Sequence, residues 1–369
     1  MLLLKNYYKA YNLKILKNEI DDRNIGLDLF RAVAVSIVVV GHFFEHFSDL
    51  HFTNFLPDGV EMFFVLSGFL IGNIFLNAEI NSKNELLRFS KKFYIRRWLR
   101  TLPNYYLFLI LNILFVYLGI YDGIINFNTS AYFVFLQNFS KPLDLFFWES
   151  WSLAVEEWFY LLLPAILVSV VVLFKNHFVK AYLYTVLILM IFPLLYRIFT
   201  YNSDADQVTY YLYFRKLVLT RLDSISYGLG AALVIKFYKE SVYKSRFALF
   251  TLGVIGLMIL KFYVIDWNSF FKQTVSLSFE SLFTVMFLPM FYFAGIKQKI
   301  LKAQIVFIAI ISYSMYLVHL PLIYLIKKYC FGYNQIILLV IYLTSIIIVS
   351  GINYLIWERP TTKLRNRIL

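Results

Sequence analysis

Long apolar stretches alternate with short polar segments along almost the whole chain. Ten of these stretches approach the roughly 20 mostly apolar residues that a bilayer-crossing helix needs. One further apolar segment, residues 131–139, is too short to cross and is expected to be re-entrant or interfacial. The pattern predicts an all-α, polytopic integral membrane protein with about ten transmembrane helices in a single domain. The predicted spans are residues 27–47, 57–78, 104–121, 152–174, 180–199, 221–238, 246–265, 277–295, 304–326 and 335–356.

The composition excludes most soluble classes of protein. Hydrophobic residues make up 60% of the 369 residues and charged residues 15%, whereas soluble proteins average about 45–50% and about 25%. A soluble fold could not keep that much apolar surface away from water. The lone cysteine, Cys330, excludes an internal disulfide and a cysteine zinc cluster. His42 and His46 are spaced i, i+4 but have no evident third ligand, so no metal is expected.

The formal net charge of +13 raises the question of a nucleic-acid partner. Most of the lysines and arginines, however, fall in alternate loops, as the positive-inside rule describes for cytoplasmic segments. This bias predicts both termini in the cytoplasm and explains the charge without nucleic acid. We therefore divide the chain into a basic amphipathic cytoplasmic arm (1–24), a transmembrane domain (25–358) and a basic cytoplasmic tail (359–369).

Two ionisable residues share one face of the first predicted span. Arg31 and His42 are separated by three helical turns plus about 20°, with a rise of about 16.5 Å. Charged groups inside a span are costly and usually face a cavity. Arg31 could instead snorkel to the inner headgroups, and His42 could make a helix-packing hydrogen bond. The shared face favours a functional pair.

The other polar residues in or beside the spans separate by predicted depth. A histidine with nearby carboxylates suits acid–base chemistry, and the outer half contains both. The inner side carries a basic belt that suits an anionic ligand. The outer set is His42, Glu61, Glu156, Arg221, Asp223, Glu280 and His319. The inner set is Arg31 with Lys91, Lys92, Arg96, Arg97 and Arg100.

Several of these residues also have purely structural interpretations. Ser152 could cap the fourth span. Arg221 and Asp223 could pair with each other, and Gly68 could serve close helix packing. The basic belt could anchor lipid phosphates.

Six sequence blocks, taken in order, are similar to those of the membrane acyltransferase-3 family, integral-membrane O-acyltransferases of bacterial surface polysaccharides and related acceptors. The resemblance covers residues 24–360. The blocks are Arg31-x10-His42, Phe63-Phe-Val-Leu-Ser67-Gly-Phe69, Arg96-Arg-Trp-Leu-Arg100-Thr-Leu-Pro103, Trp151-Ser-Leu-Ala-Val-Glu156-Glu-Trp-Phe-Tyr160, Arg221-Leu-Asp223 with Gly228, and Tyr316-Leu-Val-His319-Leu-Pro321.

The resemblance implies transfer of an acyl group, expected to be acetyl, from cytoplasmic acetyl-CoA or another acyl-CoA to a hydroxyl of a cell-surface glycan or glycolipid. It places the protein in a bacterial cytoplasmic membrane. Some family members carry a fused extracytoplasmic domain, and this chain ends eleven residues after Glu358. We therefore expect either direct transfer or a separate extracytoplasmic partner.

The candidate site residues follow from the blocks and their depths. His42 is the expected general base, with an acyl-histidine intermediate as the alternative. The expected catalytic residues are His42, Glu156 and Arg31. The expected donor-binding residues are Arg31, Arg96, Arg97, Arg100 and Ser67. The expected acceptor-binding residues are Glu61, Arg221, Asp223 and His319.

A transporter or flippase of a lipid-linked glycan is the competing hypothesis, since a polar cavity with a basic inner mouth would suit it too. The paired broken helices that transporters tend to show in their two halves are not evident in the sequence. Arg31, His42 and the basic belt together favour the acyltransferase.

Overall fold

The structure, a computed structural model, describes residues 23–48, 56–78, 80, 82–144, 146–174, 177–330 and 332–368. The predicted amphipathic arm lies almost entirely outside the described residues. Every regular element in the described part of the chain is helical. The predicted all-α class is therefore confirmed.

Most of the helices follow one another with short connections, and the longest connections are residues 118–149 and 200–221. Short elements lie between them: a 3-10 helix (Phe127–Val134), two brief helices (Gln207–Thr209 and Phe270–Gln273) and two π-helical turns (Tyr210–Arg215 and Tyr354–Glu358). The remaining helices, numbered in chain order, are α1 (Ile25–Phe47), α2 (Gly59–Leu76), α3 (Lys83–Tyr117), α4 (Ser150–Leu173), α5 (Phe178–Phe199), α6 (Leu222–Tyr263), α7 (Val275–Val285), α8 (Leu288–Tyr292), α9 (Lys299–Tyr329), α10 (Gln335–Asn353) and α11 (Arg359–Ile368).

Nine helical segments of the described chain are long and apolar enough to cross a membrane, against ten predicted spans. The difference arises in α6, which has 42 residues. A straight helix of that length would extend about 63 Å, twice the roughly 30 Å of a hydrocarbon core. The backbone leaves the helical region at Tyr238 (φ −126°, ψ 34°). This break divides α6 into the two predicted spans, and the cytoplasmic position of the termini stays a prediction.

The basic belt lies on a helix and not in a loop. Ser82 caps α3, its hydroxyl accepting a hydrogen bond from the Glu85 amide at 3.3 Å. The helix therefore begins at Lys83, about 20 residues ahead of the predicted start of this span, and it continues through Pro103. The predicted boundary at residue 104 was wrong, because helix-forming basic residues extend the helix beyond its apolar part. The arginines of the belt are therefore held at fixed helical spacing.

Close packing of α2 on α6 sets the centre of the bundle. A Cβ on Gly68 would lie 1.8 Å from the Ile225 carbonyl oxygen, and one on Gly228 would lie 2.1 Å from the Val65 carbonyl oxygen. Only glycine allows backbones to approach this closely. The packing interpretation of Gly68 is confirmed.

Helix α1 packs between α2 and α9. Its start is capped by Asn24, whose side-chain oxygen accepts from the Leu27 amide at 3.0 Å. Arg31 lies in the second turn and His42 in the second-last turn, so the two residues lie towards opposite ends of the bundle. We call these the arginine end and the histidine end.

Candidate active site

A second histidine meets His42 at the histidine end. Nε2 of His319, from α9, lies 3.1 Å from Nδ1 of His42, and the two ring centroids are 4.9 Å apart. His319 is fully buried, whereas the side chain of His42 is 34% exposed. His319, which was expected to bind the acceptor, thus contacts His42, the expected base, directly.

Hydrogen bonding determines which nitrogens of the two rings carry protons. Nδ1 of His319 contacts the backbone carbonyl oxygen of Tyr316, which can only accept. A neutral imidazole has one N–H, so His319 carries it on Nδ1 and accepts the Nδ1–H of His42 at Nε2. This leaves Nε2 of His42 with its lone pair. A carboxylate oxygen of Glu45 lies 3.9 Å from Nε2.

Tyr316 is itself held by the start of α4. Its hydroxyl donates to the Glu149 carbonyl oxygen at 3.0 Å and lies 2.6 Å from the Ser152 hydroxyl. Helix α4 begins without a side-chain cap, so the prediction that Ser152 caps it was wrong. Ser152 instead fixes the tyrosine that supplies the carbonyl to His319.

Lys216 lies beside His42 and was not singled out from the sequence, where it reads as an ordinary loop residue. Its ammonium is 4.7 Å from the centre of the Trp148 ring and within electrostatic range of His42. Burial, assisted by the neighbouring Arg215 guanidinium, lowers the pKa of Lys216 to about 8. The lysine therefore still carries most of its charge at neutral pH.

Three arginines from two helices meet at the arginine end. Arg31 lies within electrostatic range of Arg97 and Arg100. The Arg97 guanidinium lies over the rings of Phe93 and Tyr160, 5.5 and 5.3 Å from their centroids. Among the described residues, none of the three guanidinium groups has an ion-pair or hydrogen-bond partner.

The rest of the basic belt faces away from this cluster. Arg96, Lys91 and Lys92 are exposed on α3. The structure therefore brings Arg31, Arg97 and Arg100 together and leaves Arg96 outside. It supports an anion site with fewer arginines than the sequence predicted.

Glu156 lies beside the arginine cluster and not beside His42. Its carboxylate accepts hydrogen bonds from the Ser67 hydroxyl at 3.1 Å and the Tyr160 hydroxyl at 2.7 Å, and Arg97 is within electrostatic range. Glu156 is the seventh residue of α4, in the half nearer the start of that helix, and these contacts do not include His42. Ser67 and Glu156 form one polar unit in the middle of the bundle.

Glu358 is a buried carboxylate at the arginine end that sequence reasoning did not select. It lies on the π-helical turn and accepts from the Ser314 hydroxyl at 2.7 Å. Arg31 and Arg100 are within electrostatic range of it. π-helical turns are frequent at functional sites, and this one turns the carboxylate towards the arginines.

Two buried ion pairs hold α2, α5 and α6 together. Arg221 pairs with Glu61, whose carboxylate also accepts from Ser281 at 2.5 Å. Asp223 pairs with Arg197 at 2.8 Å. The interpretation that Arg221 and Asp223 pair with each other was wrong. These side chains are at most 1% exposed, so the structure gives Glu61, Arg221 and Asp223 structural partners and separates them from the histidines.

A groove of about 450 Å³ opens between α1 and α9, lined almost wholly by apolar side chains such as Val33, Ile37 and Ile305. Its α1 residues lie on the face opposite Arg31 and His42. The groove is therefore separate from the face of α1 that carries Arg31 and His42. No group of three His, Cys, Asp or Glu side chains in the described ranges could hold a metal ion.

These features define a polytopic helical protein with a histidine pair at one end of a helix and an arginine cluster at the other. A family model described as "Acyltransferase domain", that of the acyltransferase-3 family, matches residues 24–355. The chain belongs to this family. The match confirms the resemblance seen in the six sequence blocks.

Two relatives illustrate the match. The chain is 26% identical over 367 residues to a Staphylococcus aureus protein named "Putative O-acetyltransferase", covering 92% of this chain and 57% of that protein. It is 28% identical over 319 residues to the peptidoglycan O-acetyltransferase OatA of Listeria monocytogenes, covering 80% and 49%. The chain spans about half the length of these relatives. No solved structure matches it.

Proposed function

We propose that this protein is an acyl-CoA-dependent O-acetyltransferase of a bacterial cell-wall or cell-surface glycan, working across the cytoplasmic membrane. Membership of the acyltransferase family supports acyl transfer. The name of the Listeria relative supports peptidoglycan as the acceptor class. The observation that carries the proposal is the hydrogen-bonded chain from Tyr316 through His319 to His42.

The arginine cluster is the proposed donor site. Arg31, Arg97 and Arg100 place three positive charges within range of one another, and within the described part of the chain none of them forms an ion pair with the nearby carboxylates. CoA supplies phosphates, and guanidinium groups bind phosphate through paired hydrogen bonds. With the phosphates at Arg31, the extended pantetheine arm is comparable in length to the roughly 16.5 Å of helix that leads to His42. The arginine end would then face the cytoplasm.

His42 is the proposed general base. An alcohol is a poor nucleophile until its proton is accepted. Nε2 of His42 would take the hydroxyl proton of the acceptor as its oxygen attacks the thioester carbonyl carbon. The carbon–sulfur bond then breaks, and the proton on Nε2 passes to the departing thiolate. The products are an O-acetyl ester and free CoA, and His42 is regenerated.

His319 is the proposed positioning residue for His42, and this replaces its expected role in acceptor binding. By accepting the Nδ1–H, it keeps the lone pair of His42 on Nε2. The same logic operates in catalytic triads, where a buried acceptor sets the tautomer of the base. Here the buried acceptor is a second imidazole, oriented by a backbone carbonyl.

Glu156 and Ser67 are assigned to the donor path. Their mutual hydrogen bond and the nearby Arg97 support a role beside the proposed phosphate site. An acyl group carried covalently on Nε2 of His42 is the alternative chemical route. Incubation with labelled acetyl-CoA and no acceptor separates the two: the general-base route leaves the protein unlabelled, whereas labelled His42 would establish the carrier.

Mass analysis of glycans from the producing bacterium tests the function. We expect acetyl esters that disappear when the gene is deleted and return with the wild-type gene, but not with His42→Gln. Unchanged acetylation together with a defect in glycan export would contradict the proposal and favour a transporter.

A further inference from the structure

Two adjacent cations at the histidine end have opposite environments. Arg215 forms ion pairs with Asp58 and with Glu280, the latter at 3.0 Å. The Lys216 ammonium has no hydrogen-bond or ion-pair partner within the described part of the chain. Glu45 is within electrostatic range but makes no ion pair with it. The Arg215 charge is therefore neutralised by carboxylates of the protein, whereas the Lys216 charge has no ion-pair partner among the described residues.

The backbone of Lys216 is fixed. Its carbonyl oxygen accepts from the side chain of Asn138 at 2.6 Å, and the same amide nitrogen donates to the Trp151 carbonyl at 3.0 Å. Asn138 is fully buried, and its own carbonyl accepts from the Val218 amide at 2.9 Å. The lysine therefore extends from a rigid support, and the Trp148 ring limits where its ammonium can lie.

The unpaired ammonium is close to the reacting centre. Lys216 is within electrostatic range of His42. His46 lies one turn after His42 on α1. The exposed Lys327 of α9 is within electrostatic range of His46, and its ammonium lies over the ring of Phe47, 5.8 Å from the centroid. Lys216 is thus the cation within electrostatic range of His42, and Lys327 adds a second positive charge beside His46.

We propose that the histidine end recognises an acceptor glycan bearing a negative charge, with Lys216 binding its carboxylate or phosphate and Trp148 contacting the sugar ring. The inference rests on the proposed function and adds the chemical class of the acceptor. Because the Lys216 ammonium is already partly removed from water, its attraction to an anion is screened less than that of a fully exposed lysine. An indole ring offers a flat apolar surface of the size of a sugar.

The test compares matched acceptors with purified full-length protein and labelled acetyl-CoA. The first acceptor is a glycan oligomer with free muramic-acid carboxylates, and the second is the same oligomer with those carboxylates amidated. Poly(glycerol phosphate) serves as the phosphate acceptor. Lys216→Gln removes the charge, Lys216→Arg keeps it, and Lys141→Gln removes an exposed lysine of another loop as the matched control.

We expect Lys216→Gln to raise KM about tenfold for the acidic acceptor, equivalent to about 1.4 kcal/mol, with little change for the amidated oligomer. Lys216→Arg should keep most of the preference for the acidic acceptor because it keeps the charge, and Lys141→Gln should behave like wild type. Whichever anionic acceptor shows the dependence on Lys216 identifies the anion as carboxylate or phosphate.

Equal losses for the acidic and amidated oligomers would overturn the inference and assign Lys216 to the transition state or to folding. Unchanged kinetics in Lys216→Gln would also overturn it. Absence of transfer by wild type to every acceptor would contradict the proposed function itself, and so would be distinguishable from failure of this inference alone.

Discussion

Replacement of His319 by phenylalanine tests the tautomer argument. The change keeps an aromatic ring of similar size in a fully buried position. It removes the Nε2 atom that accepts the Nδ1–H of His42 at 3.1 Å. His42 would then be free to carry its proton on Nε2, the nitrogen that must be unprotonated for base catalysis.

The expected loss follows from the hydrogen bond. Leaving a buried donor without its acceptor costs about 1–3 kcal/mol. Because the His42 side chain is 34% exposed, water can replace part of the lost interaction, so the cost falls in the lower part of this range, about 1–2 kcal/mol. Each 1.36 kcal/mol is tenfold in rate. We expect kcat to fall about 5- to 30-fold in His319→Phe, with KM for acetyl-CoA unchanged.

The assay is steady-state transfer from labelled acetyl-CoA to the glycan acceptor. His46→Phe is the matched control, because Nδ1 of His46 bonds only the His42 carbonyl in the described contacts, and it should keep most of its activity. His319→Gln, whose amide oxygen can accept a hydrogen bond, should recover part of the loss. Wild-type kcat in a well-folded His319→Phe protein would refute the tautomer argument.

Three further predictions concern the arginine end and the topology. Arg100→Gln should weaken acetyl-CoA binding about tenfold and reduce the salt dependence of that binding. Arg96 is exposed on the same helix, and Arg96→Gln should have neither effect. Equal effects of the two substitutions would contradict the assignment of the arginine cluster to donor binding. Glu156→Gln should raise the KM for acetyl-CoA without altering the pH profile of kcat. A shifted pH profile would indicate instead that Glu156 tunes the base, His42. In a background lacking the native cysteine, Lys141→Cys should react with an impermeant thiol reagent in intact cells and Lys83→Cys should not; the reverse would invert the topology.

Features set by helical periodicity could be predicted from the sequence. The spans and the common face of Arg31 and His42 depend only on local spacing. The structure accordingly places Arg31 in a basic cluster and His42 at the other end of the same helix. The separation of Arg221 and Asp223 was also accessible, because residues i and i+2 of a helix do not face each other.

Partners from distant parts of the chain could not be predicted. His42 and His319 are 277 residues apart in sequence, and their contact depends on how α1 packs against α9. The position of Glu156 depends in the same way on Ser67 of α2. Lys216 gave no local signal, since its importance lies in the lack of an ion-pair partner among the described residues and in the proximity of His42, both of which are tertiary properties.

The most direct test of the central claim measures donor binding and acetyl transfer in the same His42→Gln protein. We predict that purified wild type moves the labelled acetyl group from CoA to the glycan as an alkali-labile ester. His42→Gln should bind acetyl-CoA with a wild-type Kd, because the arginine cluster is untouched, and should form almost no ester. Ester formation by His42→Gln at a rate close to that of wild type would contradict the assignment of His42 as the base.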